Sequence, residues 1–185
     1  MSDTRLLAFA PGQTWSAWAL LVNGDLITSE ITVTETYLDE GVDPAYLAQL
    51  DVYNRRLIGL RRSVADAVDR NTPIDYFVCW NPSPSTSVAY GIRAGQYIGM
   101  MKTVCFERGL PIVEMSDDDS RAFLDMPADT PREVVEETVK ARLGGIELPT
   151  YIDTYDSGAE FVATPIDAIA VGWAAHAQLT KTPSA

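Results

Sequence analysis

The dipeptide Asn23-Gly24 separates two runs of residues that are typical of β-strands, residues 15–22 and 25–34. Both central residues of a type I′ turn need a positive φ, which asparagine and glycine adopt more readily than other residues. A shorter apolar run, residues 5–9, precedes this pair. The sequence therefore predicts three consecutive antiparallel strands at the start of the fold.

Helical and apolar segments alternate after these strands. Apolar residues recur at helical spacing between positions 47 and 70, and residues 74–80 form a continuous apolar run that suits a strand buried on both faces. The next predicted elements are a helix over 85–108 and a strand over 110–115. A short helix starting at 116 and a helix over 131–143 follow, then an irregular loop over 146–162 and a last helix starting at 164. This order predicts an α/β fold with a mixed five-stranded sheet, three antiparallel strands followed by parallel strands, and helices on both faces.

Three helix starts carry the pattern of a capping box, in which a Ser or Thr precedes an acidic residue by three positions. The three pairs are Ser116 with Asp119, Thr130 with Glu133, and Thr164 with Asp167. The second pair also has Pro131 at the expected first helical position, where proline is favoured.

The length of 185 residues predicts one domain, residues 1–180, followed by a polar tail, residues 181–185. The sequence contains no apolar run of membrane-spanning length, and its start lacks the pattern of a signal peptide. Cys79 and Cys105 lie in apolar surroundings without metal-site spacing, which predicts buried thiols in a reducing compartment. We therefore expect a cytoplasmic protein with no membrane contact.

The charge balance is strongly acidic, with 26 acidic residues, 14 basic residues and a formal net charge of −12. Non-specific affinity for nucleic acids comes from Lys and Arg side chains that neutralise phosphates. Four arginines do cluster in the sequence, at positions 55, 56, 61 and 62. The overall balance nevertheless predicts that nucleic acid is not the main partner.

Five segments, in order along nearly the whole chain, carry a family resemblance. They are LLAFAPG at 6–12, IDYFVCWNPSP at 74–84, GIRAGQYIGMMKTVCFERGLPIVEMS at 91–116, TPREVVEETVKARLGG at 130–145 and TPIDAIAVGWAAH at 164–176. Together they resemble the RuvC-type Holliday-junction resolvases of the ribonuclease-H-like fold, including phage versions. The resemblance implies that fold and a nuclease site at the ends of the first and fourth strands and on the last helix.

The resemblance also implies four carboxylates around two divalent metal ions, which activate water and stabilise the attacking and leaving oxygens. The first-strand aspartate corresponds to Ala10, and the fourth-strand glutamate corresponds to Trp80. On the last helix the first aspartate corresponds to Thr164, and the second is retained as Asp167. Alanine and tryptophan provide no ligand for a hard cation, so we expect a dismantled site without catalytic residues, metal or cofactor.

Some acidic residues remain as weak metal candidates, namely Asp167 and Glu114. Helix capping is the favoured interpretation of Asp167, and residues 117–119 are typical of a helix N-terminus. The single histidine, His176, lies in an alanine-rich helix and is interpreted as a core or surface residue rather than a base.

These observations predict a catalytically inactive RuvC-like protein that binds proteins or has a structural role, such as that of a phage-particle component. Trp80 and Trp15 are the candidate contacts with a partner, because aromatic residues are enriched in interfaces. The alternative is a junction-DNA binder, or a resolvase that uses Mg²⁺ or Mn²⁺ through relocated ligands.

Gly91, Gly95 and Gly99 recur every four residues on one predicted helix. Glycine destabilises a helix, so such a row indicates a close approach of another backbone. We expect tight packing on the sheet, with a homodimer contact as the alternative.

Overall fold

The computed structural model describes residues 3–12, 14–38, 43–81, 88–154 and 160–181. The strands are β1 (Arg5–Pro11), β2 (Trp15–Val22), β3 (Asp25–Val33), β4 (Tyr76–Asn81), β5 (Ile112–Ser116), β6 (Tyr151–Thr154) and β7 (Glu160–Ala163). The α-helices are α1 (Pro44–Gln49), α2 (Val52–Asn71), α3 (Val88–Glu107), α4 (Asp117–Phe123), α5 (Arg132–Arg142) and α6 (Ile166–Lys181).

The main sheet has the order β3-β2-β1-β4-β5. β1 pairs antiparallel with β2, and β2 pairs antiparallel with β3, whereas β1–β4 and β4–β5 are parallel. This arrangement confirms the predicted mixed five-stranded sheet. The first hairpin is also confirmed, since Asn23 and Gly24 have φ values of 54° and 88° and join the paired residues Val22 and Asp25.

Two apolar layers cover the two faces of the main sheet. On one face, Leu7 and Phe9 of β1 pack with buried residues of α2 and α3. On the other face, Leu6 and Ala8 pack with buried residues of α5 and α6. The alternation of side chains along a strand explains why neighbouring β1 residues enter different layers.

Helix α6 lies unusually close to the sheet. A Cβ atom added at Gly172 would be 2.6 Å from Leu21 Cδ1 and 3.1 Å from Ala8 Cβ, which are shorter than ordinary van der Waals contacts. Residues on several sides of this helix are buried. Gly172 therefore lets the α6 backbone approach β1 and β2 directly.

The structure corrects several helix boundaries. The helical pattern from 47 to 70 is divided into α1 and α2, because Asp51 caps α2 by accepting a 2.8 Å bond from the Asn54 N–H. The capping box of Ser116 and Asp119 is confirmed at α4. The box predicted at Thr130 is wrong, because α5 has Pro131 as its N-cap residue without a side-chain cap bond.

The predicted loop over 146–162 is also wrong in part, since it contains β6 and the start of β7, which form an antiparallel hairpin. In the predicted tail, Lys181 is the last residue of α6, and residues 182–185 lie outside the described residues. In the part of the chain that the structure describes, no helix has the length and apolarity needed to cross a membrane.

The glycine row on α3 does not pack on the sheet. No atom of the described residues lies within 4 Å of a Cβ added at Gly91, Gly95 or Gly99, so the predicted packing is wrong and the row faces solvent. The helix instead packs through another face, which includes Met101 and Val104. The homodimer contact through this row stays a prediction.

Both cysteines are unpaired and buried, as predicted. Desolvation raises the pKa of Cys79 and the pKa of Cys105 to about 12. At neutral pH both thiols are therefore protonated and unreactive.

The same substitution at two helical glycines should have opposite effects. Gly172→Ala should lower the free energy of unfolding by about 1–3 kcal/mol, because its methyl group overlaps Ala8 and Leu21. Gly95→Ala is the matched control and should raise it by up to about 1 kcal/mol, since its methyl group meets open space. Chemical denaturation measures both values, and an equal effect of the two changes would contradict the close packing of α6.

Candidate functional site

The C-terminal ends of β1 and β4 lie side by side and place Ala10 and Trp80 at one edge of the sheet. Ala10 is only 3% exposed and belongs to the apolar cluster that also contains Met115 and Ile166. Trp80 is half-buried and packs against the same cluster. Apolar contacts therefore occupy the end of β1, where the family resemblance implies a carboxylate.

The indole of Trp80 is held by a carboxylate from a neighbouring element. Its Nε1–H donates a 2.7 Å hydrogen bond to Asp117 Oδ1. Asp117 is the first residue of α4, which follows β5 directly, and β5 pairs with β4 in parallel. At the position where the resemblance implies a glutamate, the Trp80 side chain thus binds the acidic side chain of Asp117.

The remaining carboxylate of the implied set, Asp167, forms an ion pair. Arg132, the first residue of α5, donates to Asp167 Oδ2 over 2.8 Å. The Asp167 side chain is 21% exposed and that of Arg132 is 44% exposed. The positive charge beside Asp167 is therefore supplied by the protein itself.

Burial raises the pKa of Asp167 above its usual value. The guanidinium of Arg132 acts in the opposite direction, and the carboxylates of Asp117 and Glu136 add to the increase. Burial and nearby negative charges both favour the protonated form of a carboxyl group. Because the pKa of Asp167 is raised, these two effects together outweigh the attraction of Arg132.

Thr164 is buried but does not cap α6. The Pro165 carbonyl accepts the bond from the Ile169 N–H, so Pro165 occupies the N-cap position. The predicted capping box of Thr164 with Asp167 is therefore wrong, and Asp167 is bound by Arg132 instead.

A cleft of about 20 Å³ remains between these groups, lined by Asp117, Arg132 and Asp167 together with Ser120 and Arg121. This volume matches roughly one water molecule. Two-metal catalysis places two cations about 3.5–4 Å apart among several carboxylates, whereas Asp117 and Asp167 are the only carboxylates among the described residues that line this cleft. Within the described ranges, no group of three or more His, Cys, Asp or Glu residues is arranged to hold a metal ion.

The other predicted candidates lie elsewhere. Glu114 is on the face of β5 opposite to buried Met115 and forms an ion pair with Lys102 of α3, so the structure does not bring it to Asp167. Trp15 begins β2 at the same sheet edge as Trp80 and is paired with Val33 in the ladder. The contacts of Arg132 with Asp167 and of Asp117 with Trp80 were not predicted, because no local pattern in the sequence indicates them.

A sheet of this order, with helices on both faces and the candidate site at the ends of β1 and β4, defines a ribonuclease-H-like fold. More particularly, it is a RuvC-type resolvase-like fold. The Thermus thermophilus RuvC structure is 17% identical with a TM-score of 0.62, covering 97% of this chain and 98% of that one. The structure of T. thermophilus RuvC in complex with Holliday junction substrate is 16% identical with a TM-score of 0.64, covering 97% of both chains. At these identities the similarity concerns the fold, and no protein-family model and no curated protein matches the sequence.

Removing one member of the Arg132–Asp167 pair should be much more harmful than removing both charges. Arg132→Ala should lower the free energy of unfolding by about 2 kcal/mol, because it leaves a mostly buried carboxylate without its partner. Adding Asp167→Asn should restore most of this loss, since no uncompensated charge remains. A double-mutant cycle measured by chemical denaturation gives the coupling energy between the two side chains. If the effects of the two substitutions simply add, Arg132 does not stabilise Asp167.

The raised pKa of Asp167 also predicts a pH dependence. The folded state binds the Asp167 proton more tightly than the unfolded state does. The free energy of unfolding should therefore fall as the pH rises from the usual aspartate pKa through the raised pKa of Asp167. Asp167→Asn lacks this contribution. The difference in unfolding free energy, wild type minus Asp167→Asn, should therefore decrease over that pH range, and a constant or increasing difference would contradict it.

Proposed function

We propose that this chain is a protein-binding member of the RuvC-like fold class that does not hydrolyse phosphodiester bonds. The observation that carries the proposal is that both carboxylates lining the cleft are bound by protein groups, Asp117 by Trp80 and Asp167 by Arg132. A two-metal nuclease needs its carboxylates available to the cations. Here the two nearest carboxylates are used to fasten the sheet, α4, α5 and α6 together.

The basic side chains support a protein partner rather than DNA. Many of them form internal ion pairs: Arg61–Glu107, Arg70–Glu30, Lys102–Glu114, Arg108–Asp69, Arg132–Asp167 and Lys140–Glu136. A DNA phosphate would have to compete with these carboxylates for the same donors. With a net charge of −12, long-range repulsion adds to that cost.

Exposed apolar side chains add a second reason to expect a protein partner. Phe106 is 85% exposed and Ile92 is 60% exposed, and both are on α3. The β6–β7 hairpin exposes Ile152 and Val162, which pair across its strands. Because Ile152 and Val162 are neighbours across the hairpin, they form one exposed apolar pair that contact with another protein would remove from water.

Binding of junction DNA is the second candidate function. Its support is the similarity in fold to a RuvC structure determined with a Holliday junction substrate. The corresponding enzymatic version would need Mg²⁺ or Mn²⁺ ligands outside the Asp167 cleft. The fold gives no support to the phage-particle role predicted from the sequence, and the cytoplasmic location stays a prediction.

A cleavage assay tests the main proposal. Purified protein should not cut synthetic four-way junctions in Mg²⁺ or Mn²⁺ beyond the background measured in EDTA, because the described residues contain no group of carboxylates arranged to hold metal ions. A competent RuvC-type enzyme at the same protein concentration is the positive control. Junction cutting that requires Mg²⁺ or Mn²⁺ and is abolished by EDTA would refute the proposal, and its loss or persistence in the Asp167→Asn variant would show whether the Asp167 cleft carries it.

A gel-shift titration separates the protein-binding function from DNA binding. We expect no preferential shift of a four-way junction over linear duplex at about 50 mM salt, where electrostatic binding is strong. A junction-specific shift that weakens steeply between about 50 and 200 mM salt would establish the second candidate instead.

A further inference from the structure

A separate cavity of about 510 Å³ lies beside the β2–β3 turn, at the end of the sheet opposite to Ala10 and Trp80. Its volume is within the range of small-molecule sites, roughly 300–1,000 Å³. The lining residues that matter for binding are Asp25, Leu26, Arg142, Leu143, Ile146 and Trp173. The cavity therefore combines apolar walls with one guanidinium and one carboxylate.

Arg142 is held in this cavity by aromatic rings. Its guanidinium carbon lies 4.6 Å from the centroid of the Phe123 ring and 5.0 Å from that of Trp173. Among the described residues no hydrogen-bond acceptor or carboxylate is paired with its N–H groups, although Asp25 lines the same cavity. Cation–π stacking thus orients the guanidinium and leaves its donor edge available.

The wall that carries Arg142 is itself firmly positioned. Trp173 is 8% exposed, and its Nε1–H donates a 2.9 Å hydrogen bond to the Gly24 carbonyl. The His176 ring lies against the same turn, with Nδ1 only 2.9 Å from the position of a Cβ added at Gly24. Contacts between α6 and the turn therefore shape the cavity before any ligand enters.

We propose that this cavity is a binding site for a small organic oxyanion, a carboxylate or phosphate carried on an apolar body. The planar donor edge of Arg142 matches the paired oxygens of such a group. Leu26, Leu143 and Ile146 contact the apolar body. Asp25 opposes the anion, so its charge limits the affinity. This site is independent of the Asp167 cleft and of the proposed protein-binding function.

Titrations of the full chain with four probes test the site. Two probes are organic anions, 3-phenylpropionate and phenyl phosphate. The control for 3-phenylpropionate is 3-phenylpropanamide, which lacks the charge, and the control for phenyl phosphate is inorganic phosphate, which lacks the apolar body. Calorimetry gives the affinity, and the NMR signal of the Trp173 indole N–H locates the ligand. At least one organic anion should bind about tenfold more tightly than its control. Tighter binding of 3-phenylpropionate would identify the ligand group as a carboxylate, and tighter binding of phenyl phosphate would identify it as a phosphate.

Variants assign the binding to Arg142. Arg142→Gln should weaken binding at least about tenfold, and Arg142→Lys should weaken it less, because it keeps the charge but loses the planar donor edge. Lys140→Gln removes the same charge from the same helix, outside the cavity, and should leave affinity unchanged. Asp25→Asn should tighten binding by removing repulsion.

Several results would overturn the inference. They are the absence of binding by both organic anions at millimolar concentration, equal binding of the amide or of inorganic phosphate, and unchanged affinity in the Arg142→Gln variant. For each variant, unchanged backbone amide NMR signals from residues outside the cavity show that the protein is still folded.

Discussion

The close approach of α6 to β1 and β2 is the constraint on which the rest of the structure depends. Gly172 carries no side chain, so the helix backbone lies against Ala8 and Leu21. This contact sets the position of both ends of α6. The first turn carries Asp167 to Arg132, and the later turns carry Trp173 to the β2–β3 turn. One helix therefore positions the Asp167 cleft and the separate cavity.

Both carboxylates that line the Asp167 cleft are bound by other protein groups. A carboxylate near the protein interior needs a compensating positive charge or donor. Arg132 provides the charge for Asp167, and the Trp80 indole provides the donor for Asp117. These contacts join β4 to α4 and α5 to α6, so the groups that satisfy the two carboxylates also connect elements of the fold.

Local chemistry made much of the fold predictable. The Asn23-Gly24 turn needs only two residues that accept positive φ, and the α4 capping box needs only Ser116 and Asp119. The row of glycines on α3 was misread because spacing shows that side chains are absent from a face but not what lies opposite that face. The β6–β7 hairpin was missed because its strands have only four residues each and lie in a segment rich in polar residues.

The sequence by itself determined which side chains stand at the implied metal positions, since the replacement of acids by Ala10, Trp80 and Thr164 is a property of single residues. Only the tertiary structure decided what Trp80 and Asp167 bind. Trp80 and Asp117 are 37 residues apart, and Arg132 and Asp167 are 35 apart. Arg142 likewise stacks on Phe123 and Trp173 through the packing of three helices. Charge pairing and stacking depend on distance in space, which the packing of α6 on the sheet establishes.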